Sequence, residues 1–233
     1  MSQAARSYDL PPPLLEASHV LVESSPIGPY RYDVCADLCS AQGPPSDVLI
    51  VTYRGLRPER LVPDRLVSDR DLGDGGEASD ASRSSSERRS DGAPSVDVIA
   101  VRPDDPSDAV RDRLADLPVD ASVDAVDPSA SLTRLGVLVD KHLRQYDDAA
   151  DPVVCFDSIT PLILYSDVDR AHRFLNSLRD LVDEAGGHAH YHFDPDAHDE
   201  SVRQRLRTLF DAAVTVDDDG DIATVDRRPD WPA

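Results

Sequence analysis

Short apolar runs alternate with longer amphipathic segments along this chain. The apolar runs are mostly continuous and are bounded by turn-forming residues, which is typical of strands buried on both faces of a parallel sheet. They predict six strands, at residues 19–23, 48–52, 96–101, 122–126, 153–156 and 189–193.

Between the predicted strands, apolar residues recur every three or four positions, which is the spacing of one face of an α-helix. This pattern predicts helices at residues 30–41, 132–146, 168–185 and 200–210. Two further apolar segments, residues 213–216 and 222–225, flank the polar sequence DDDGD. Because an Asp-Gly pair between two such segments favours a tight turn, they predict a β-hairpin.

The order of these elements predicts the fold class. Strands that alternate with helices imply βαβ crossovers, and such crossovers place helices on both faces of a mainly parallel sheet. We therefore expect a three-layer α/β domain whose parallel sheet is extended by an antiparallel C-terminal hairpin.

Composition divides the chain into a core, an insertion and two ends. Residues 68–94 are almost entirely Ser, Asp, Arg, Gly, Ala and Glu, so they cannot bury enough apolar surface to offset the lost chain entropy. We expect a disordered insertion there. Strand patterns resume directly after it, so it interrupts one domain, residues 18–227. Residues 1–17, with three consecutive prolines, are predicted to form an extended arm, and residues 228–233 a tail.

The chain is strongly acidic, with 24 Lys and Arg against 45 Asp and Glu and a formal net charge of −21. The acids are 38 Asp and 7 Glu, and the bases are 23 Arg and a single lysine, Lys141. This charge opposes binding to nucleic-acid phosphates. An aspartate-rich, lysine-poor surface suits multimolar salt, where the Debye length is about 3 Å or less. We therefore interpret the acidity as halophilic, haloarchaeal adaptation and not as the sign of a particular partner.

Simple counts bear on location and cysteine chemistry. No apolar run approaches the roughly 18 residues that a membrane helix needs, and the N-terminus lacks an apolar signal core, so we expect a cytoplasmic protein without membrane contact. Three cysteines, Cys35, Cys39 and Cys155, are too few for a disulfide framework. Cys35 and Cys39 share one apolar helix face, which favours core packing over a metal pair that lacks further ligands.

The most informative candidate for chemistry is the end of the predicted strand at residues 153–156. Ligands bind outside the carboxyl ends of parallel strands, and Asp157 and Ser158 follow directly after four apolar residues. An aspartate at this point holds the water shell of Mg²⁺ in P-loop ATPases. The alternative is that Asp157 caps a turn or helix, because many strands end in this way.

A phosphate-binding loop that acts together with Asp157 would follow the first predicted strand, but the residues there are unsuited to binding phosphate. In alignment with G-x-x-x-x-G-K-S/T, the motif positions are taken by Ser25, Tyr30, Arg31 and Tyr32. Glycine is required there for backbone N–H groups to curl around phosphates, and the motif hydroxyl binds the metal. Ser25, Gly28 and Arg31 therefore remain as residues of a vestigial nucleotide site, and Arg31 is equally explained as a surface residue at a helix start.

A second constellation is built on alternating histidines. His188, His190 and His192 share one face of a predicted strand, and Asp194 and His198 follow it. Strand residues four apart lie about 13 Å apart, so at most two of the three histidines can share one ion of zinc or nickel. The alternative is that these histidines pack between the sheet and a helix.

Two further expectations concern the carboxyl end of this histidine strand. His192 and Asp194 are expected to lie beside Asp157 and to form a polar pocket at the edge of the sheet. Asp196 and Asp199 are predicted to cap the helix that begins near residue 200.

Three segments, residues 155–182, 190–200 and 206–214, together resemble a haloarchaeal group of KaiC-like, RecA-fold proteins with a degenerate P-loop. The resemblance extends over residues 18–225 apart from the insertion, and its most specific strings are CFDSITPLIL and DPDAHD. It implies a RecA-type core, with Asp157 at the Walker B position and residues 20–41 at the Walker A position.

Two departures from active members of this class argue against catalysis. The loop lacks the motif's glycines, lysine and hydroxyl residue, and the second strand is followed by Thr52-Tyr53-Arg54-Gly55 where active KaiC-like ATPases carry catalytic glutamates. Without a cradle and a base, nothing orients in-line attack on a γ-phosphate. We therefore predict a non-catalytic RecA/KaiC-like domain with a regulatory or signalling role through protein contacts, with at most weak binding of ATP and Mg²⁺. The resemblance is also compatible with self-association, because RecA-type cores assemble through their sheet edges.

Two alternatives stay open. One is an atypical hydrolase, either of nucleotides, with Asp157 and Arg31, or metal-dependent. The metal-dependent form would use the cluster of His190, His192, Asp194 and His198. The other alternative is an adaptor whose edge pocket holds no ligand.

Overall fold

The computed structural model describes residues 8–25, 33–41, 43, 47–53, 95–102, 111–112, 114–115, 119–146 and 151–228. The predicted insertion at residues 68–94 lies outside the described residues. So do Gly28 and Arg31 of the candidate phosphate loop and residues 229–233 of the tail.

Eight strands within the described part of the chain form one sheet, in the order β4-β3-β2-β5-β6-β1-β7-β8. Neighbouring strands are parallel except β7 and β8, which pair antiparallel. The strands are β1 His19–Ser24, β2 Asp47–Thr52, β3 Ser95–Val101, β4 Asp120–Val126, β5 Val153–Asp157, β6 His188–Phe193, β7 Ala212–Val216 and β8 Ile222–Arg227.

Helices connect these strands and cover the sheet. They are α1 Pro12–Leu15, α2 Asp33–Cys39, α3 Leu132–Leu143, α4 Ile159–Tyr165, α5 Val168–Glu184 and α6 Glu200–Arg207, with a 3₁₀ turn at Pro195–Ala197. In the described ranges, no helix is both long enough and apolar enough to cross a membrane.

The core has two parts because the sheet is covered on both faces. On one face, Leu135 of α3, Leu175 of α5 and Leu206 of α6 pack in one cluster with Phe156 and Tyr191 of the central strands. On the opposite face, α1 and α2 pack against the sheet. The fold is therefore the predicted three-layer α/β class, with a mainly parallel sheet and an antiparallel hairpin at its C-terminal end. The strand β6 lies between β1 and β5, so the three strands form the centre of the sheet.

The structure differs from the predicted extended arm at residues 12–15. This segment forms one helical turn, and Leu10 and Leu14 are buried against apolar residues of β1 and β7. A proline at the first helical position suits such a turn, because the N–H that it lacks would have no partner within the helix. Burial of the two leucines therefore prevails over the extended preference of the three prolines.

The helix α4 was not predicted from the hydrophobic pattern. It is short, and four of its seven residues are buried, so it has no polar stripe that would reveal helical periodicity. Pro161 lies in its first turn, where a missing N–H costs no intrahelical hydrogen bond. In the sequence this segment is therefore an apolar run that contains a proline, a pattern that does not predict a helix.

Helix caps near β6 also differ from the prediction. Asp199 occupies the N-cap position of α6, but its side chain makes no capping hydrogen bond. Asp196 lies within the 3₁₀ turn, where its backbone N–H donates to Asp194 Oδ1 at 3.1 Å. The capping carboxylate in this region is therefore Asp194, and it serves the 3₁₀ turn.

Candidate functional site

The strand β5 delivers Asp157 and Ser158 to the carboxyl edge of the sheet, as its apolar run predicts. The Asp157 side chain is buried, and its backbone oxygen accepts a hydrogen bond from Tyr53 N at 2.8 Å. Ser158 is also buried, and its hydroxyl has no hydrogen-bond partner among the residues that the structure describes. This edge therefore holds a carboxylate and a buried hydroxyl at the point where a Walker B aspartate is expected.

Asp194 and His192 both lie near this edge. Asp194 N donates to Thr160 Oγ1 at 3.0 Å, and Thr160 is two residues beyond Ser158. The pairing of β5 with β6 joins Phe156 to Tyr191, so Asp157 and His192, the next residue of each strand, share the face of the sheet that α2 covers. That these three side chains form one polar pocket stays a prediction.

At the end of β1, the buried carboxylate of Glu23 is held by two arginines of α6. Arg203 donates through Nε and Nη2 at 2.9 and 2.7 Å, and Arg207 does so at 2.9 and 2.5 Å. Thr215 of β7 donates a further hydrogen bond at 3.1 Å. Burial alone would raise the pKa of Glu23, but the two guanidinium groups outweigh it and lower that pKa from 4.5 to about 2.

This Glu23 network was missed by sequence reasoning, which predicted a strand at residues 19–23 and gave Glu23 no role. A signal was present, because Arg203 and Arg207 are four apart and so share one face of α6. The sequence did not show that this face lies over the end of β1. Ser25, the first residue of the candidate phosphate loop, follows this strand end and is half-buried.

A cluster of two cysteines and two histidines lies beneath α2; we call it the Cys–His cluster. It consists of Cys35 from α2, Cys155 from β5, and His190 and His192 from β6, and all four are buried. One potential ligand atom from each residue lies within 4.8 Å of those of the other three. Cys35 Sγ is 2.8 Å from His192 Nε2, and the two imidazole rings meet edge-on with centroids 5.7 Å apart.

The sheet register creates this Cys–His cluster. Cys155 and His190 are direct partners in the pairing of β5 with β6, and His192 is two residues further along the same face. The hydrogen bond with Cys35 lowers the pKa of the Cys155 thiol well below 9.0, against the effect of burial, and the two imidazoles lower it further. Hydrogen bonding within the cluster therefore opposes the effect of burial on the Cys155 thiol.

The predicted metal set does not coincide with the Cys–His cluster. His190 and His192 share a face as predicted, but their neighbours are thiols and not Asp194 or His198. The His198 ring stacks on Phe193 with centroids 5.3 Å apart, and Phe193 packs in the core on the other face of the sheet. Cys35 and Cys39 are both buried in the core, as the sequence predicts, and the sulfur that lies close to Cys35 is that of Cys155.

Two further residues lie close to the Cys–His cluster without belonging to it. Cys39 is one helical turn beyond Cys35, and burial raises the pKa of its thiol. His188 begins β6, and burial lowers its pKa to about 4. Both are buried residues of the same chemical types and provide natural comparisons for the cluster.

Comparison with known proteins identifies the family. The sequence profile of DUF7504, described as a family of unknown function, matches residues 17–216. The chain belongs to this family. Among curated proteins, no sequence matches it. Among solved structures, it is similar to the flagellar accessory protein FlaH from Methanocaldococcus jannaschii, with 14% identity, a TM-score of 0.44, and coverage of 85% of this chain and 70% of that one.

Within residues 17–216, this DUF7504 protein also contains an open groove of about 730 Å³ between α3 and α5. Tyr53 and Tyr165 line it and stack with ring centroids 6.3 Å apart. Val137 on the wall formed by α3 is 62% exposed, and Leu164 beside Tyr165 is 76% exposed. The groove lies at the carboxyl ends of β3 and β4, where Val101 and Val126 contribute to its lining.

Proposed function

We propose that this DUF7504 protein is a non-catalytic RecA-like domain that acts in regulation or signalling by binding a partner protein in the groove between α3 and α5. One observation carries the proposal. The described residues contain four exposed large apolar side chains, and three of them, Val137, Leu164 and Tyr165, lie in or beside this groove.

The grouping of these side chains matters more than their number. Single exposed apolar residues are common on soluble proteins, whereas a cluster of them beside a groove marks a binding surface. Aromatic residues are enriched in protein interfaces, and Tyr165 is stacked on Tyr53 and so is held in place before any partner binds. The surface therefore suits an apolar segment that inserts between α3 and α5.

The groove is lined by charges of both signs. Arg170 and Arg173 of α5 and Asp127 and Asp140 all contribute to its lining. A partner segment with polar or charged residues next to its apolar ones could pair with either sign. We propose an amphipathic segment as the occupant, supplied by another protein or by a second copy of this chain.

Several features support a role without nucleotide turnover. The loop after β1 lacks the glycines, lysine and hydroxyl residue of the phosphate-binding motif. At the end of the same strand, Arg203 and Arg207 are engaged by Glu23. Guanidinium groups that are held by a buried carboxylate are less available to neutralise a triphosphate.

Partner capture with two matched variants tests the proposal. A Val137→Asp, Leu164→Asp double variant places charge in the groove, and Leu15→Asp places it at the fourth exposed apolar side chain, which lies on α1. We expect a protein crosslinked by the wild type in a lysate of the source organism to be lost from the groove variant and kept by the Leu15 variant. Equal capture by all three proteins, or steady phosphate release from ATP, would contradict the proposal.

Light scattering separates the two sources of the occupant. If a second copy fills the groove, the wild type is an oligomer and the groove variant is a monomer at the same concentration. If another protein fills it, the oligomeric state is the same in both. In either case the Leu15→Asp variant is expected to behave as the wild type.

Weak nucleotide binding at the carboxyl edge is a second candidate function. It is favoured by the buried hydroxyl of Ser158, next to Asp157, which has no hydrogen-bond partner within the part of the chain that the structure describes. These two oxygen donors fit the hydrated Mg²⁺ of a nucleotide, whereas the sequence after β1 does not fit its triphosphate. We expect ATP with Mg²⁺ in molar KCl to raise the melting temperature slightly, and Asp157→Asn to abolish the rise. The control is Asp196→Asn, which changes an exposed aspartate beyond β6 and should keep the rise. A wild type whose melting temperature does not change would exclude this candidate function.

A further inference from the structure

We propose that the Cys–His cluster binds one Zn²⁺ ion, with Cys35, Cys155, His190 and His192 as its four ligands. This is a structural metal site, and it is independent of the proposed role of the groove. It lies on the opposite face of the sheet from the groove and shares no residue with it.

The ligand types are those of a structural zinc site. Two thiolates and two imidazoles form one of the common ligand sets for zinc, which binds four ligands in a tetrahedron. At typical bond lengths of about 2.0–2.3 Å, ligand atoms of one tetrahedral ion lie about 3.3–3.8 Å apart. The four atoms in the Cys–His cluster already lie within 4.8 Å of one another, so small adjustments of the side chains would complete the site.

The His190 imidazole provides an independent observation in favour of a ligand. Neither ring nitrogen of His190 has a hydrogen-bond partner among the described residues, although both atoms are buried. A buried polar atom without a partner is costly, and such atoms are rare in native proteins. A zinc ion bound to one nitrogen of His190 would relieve part of this cost.

Zinc binding at this site needs no reactant other than the ion and the protein. Zn²⁺ forms bonds to two sulfurs and two nitrogens, and the thiols of Cys35 and Cys155 lose their protons to solvent. The ion then has four protein ligands and no open position for water or substrate, which is typical of structural and not of catalytic zinc. The site would connect α2 to both β5 and β6, and so hold the helix that follows the candidate phosphate loop.

Metal analysis with matched variants tests the proposal. Protein purified under reducing conditions with added zinc is dialysed, and its zinc content is measured by elemental analysis and native mass spectrometry. We expect one zinc per chain in the wild type and its loss in Cys35→Ser and in Cys155→Ser. The controls Cys39→Ser and His188→Asn remove a buried thiol and a buried imidazole that lie outside the cluster, and they should retain the metal.

Cobalt substitution tests the geometry in the wild-type protein itself, so the result does not depend on whether a variant folds. Four-coordinate Co²⁺ with thiolate ligands has intense visible absorption bands and a sulfur-to-metal charge-transfer band in the near ultraviolet. We expect both in the wild type and in Cys39→Ser, and their disappearance when zinc is added. A wild type that binds less than stoichiometric zinc, a weak spectrum typical of octahedral Co²⁺, or an unchanged spectrum in Cys155→Ser would overturn the proposal.

Discussion

Two buried polar clusters lie on neighbouring strands of this sheet and differ in how completely the protein satisfies them. The Glu23 carboxylate accepts five hydrogen bonds of 3.1 Å or less, from Arg203, Arg207 and Thr215. In the Cys–His cluster on the other face, His190 has no hydrogen-bond partner at either ring nitrogen within the described residues. Equally buried polar groups are therefore fully hydrogen-bonded in one cluster, whereas in the other the His190 ring lacks partners in the part of the chain described.

The Glu23 network is complete within the protein, whereas the Cys–His cluster is proposed to need a bound ion. A buried charge that is paired and fully hydrogen-bonded is compatible with a stable fold, and its removal leaves its partners uncompensated. Buried groups without partners are instead expected where an ion or ligand completes them.

The Glu23→Ala substitution should have the largest effect. It leaves the guanidinium groups of Arg203 and Arg207 without their buried partner, and losses of about 3–5 kcal/mol are typical of such a break. Urea unfolding monitored by circular dichroism measures the change. Glu200→Ala is the matched control, because Glu200 contacts Arg203 at 3.5 Å from an exposed position and should cost less than about 1 kcal/mol. Equal losses in the two variants would show that the Glu23 network is not a distinct structural unit.

Acid should weaken the Glu23 network by a slightly smaller amount. The pKa of Glu23 is about 2 in the fold against its ordinary value of 4.5, so its stabilisation is fully present above pH 4.5 and is lost as the pH falls towards 2. The whole interval corresponds to about 3 kcal/mol. We expect the unfolding free energy of Glu23→Gln to fall less steeply between pH 5 and pH 3 than that of the wild type. Parallel curves would contradict the assigned pKa.

Zinc should stabilise the wild type through the Cys–His cluster. If free zinc is present at about 100 times its dissociation constant, the gain is about 2.7 kcal/mol, and a chelator should reverse it. Glu23→Gln should keep this response and Cys155→Ser should lose it, because the two clusters are independent. A zinc response that depends on Glu23 and not on Cys155 would contradict the assignment of the zinc site to the Cys–His cluster.

The Leu164→Asp substitution alone should have the smallest effect on stability. Leu164 is exposed and makes few contacts that folding requires, so Leu164→Asp should change the unfolding free energy by no more than about 0.5 kcal/mol. Its effect should appear only in partner capture. A loss of several kcal/mol would show that Leu164 belongs to the core and not to a binding surface.

Much of the fold was accessible from the sequence because its signals are local. Continuous apolar runs identified every strand of the parallel sheet to within two residues at each end, and the amphipathic patterns identified α3 and α5. The alternation of histidines placed His190 and His192 correctly on one face. Each of these features depends only on neighbours in the chain.

The two buried clusters were not accessible in this way, because each joins residues that are distant in sequence. Cys35 and His192 are 157 residues apart and meet only because α2 packs over β6. Likewise, the contact of Glu23 with Arg207 depends on where α6 lies relative to the end of β1. Residue type and spacing give no information on such packing, which is decided by the topology of the sheet.

The alternation along β6 has a consequence for the alignment of this strand with its neighbours. Its imidazoles are directed towards α2, and its aromatic residues Tyr191 and Phe193 pack in the opposite core. A slip of one residue against β1 and β5 would exchange the two sets, with rings of the wrong polarity in both layers. The central strand therefore has one acceptable alignment, which selects against misregistered sheets during folding.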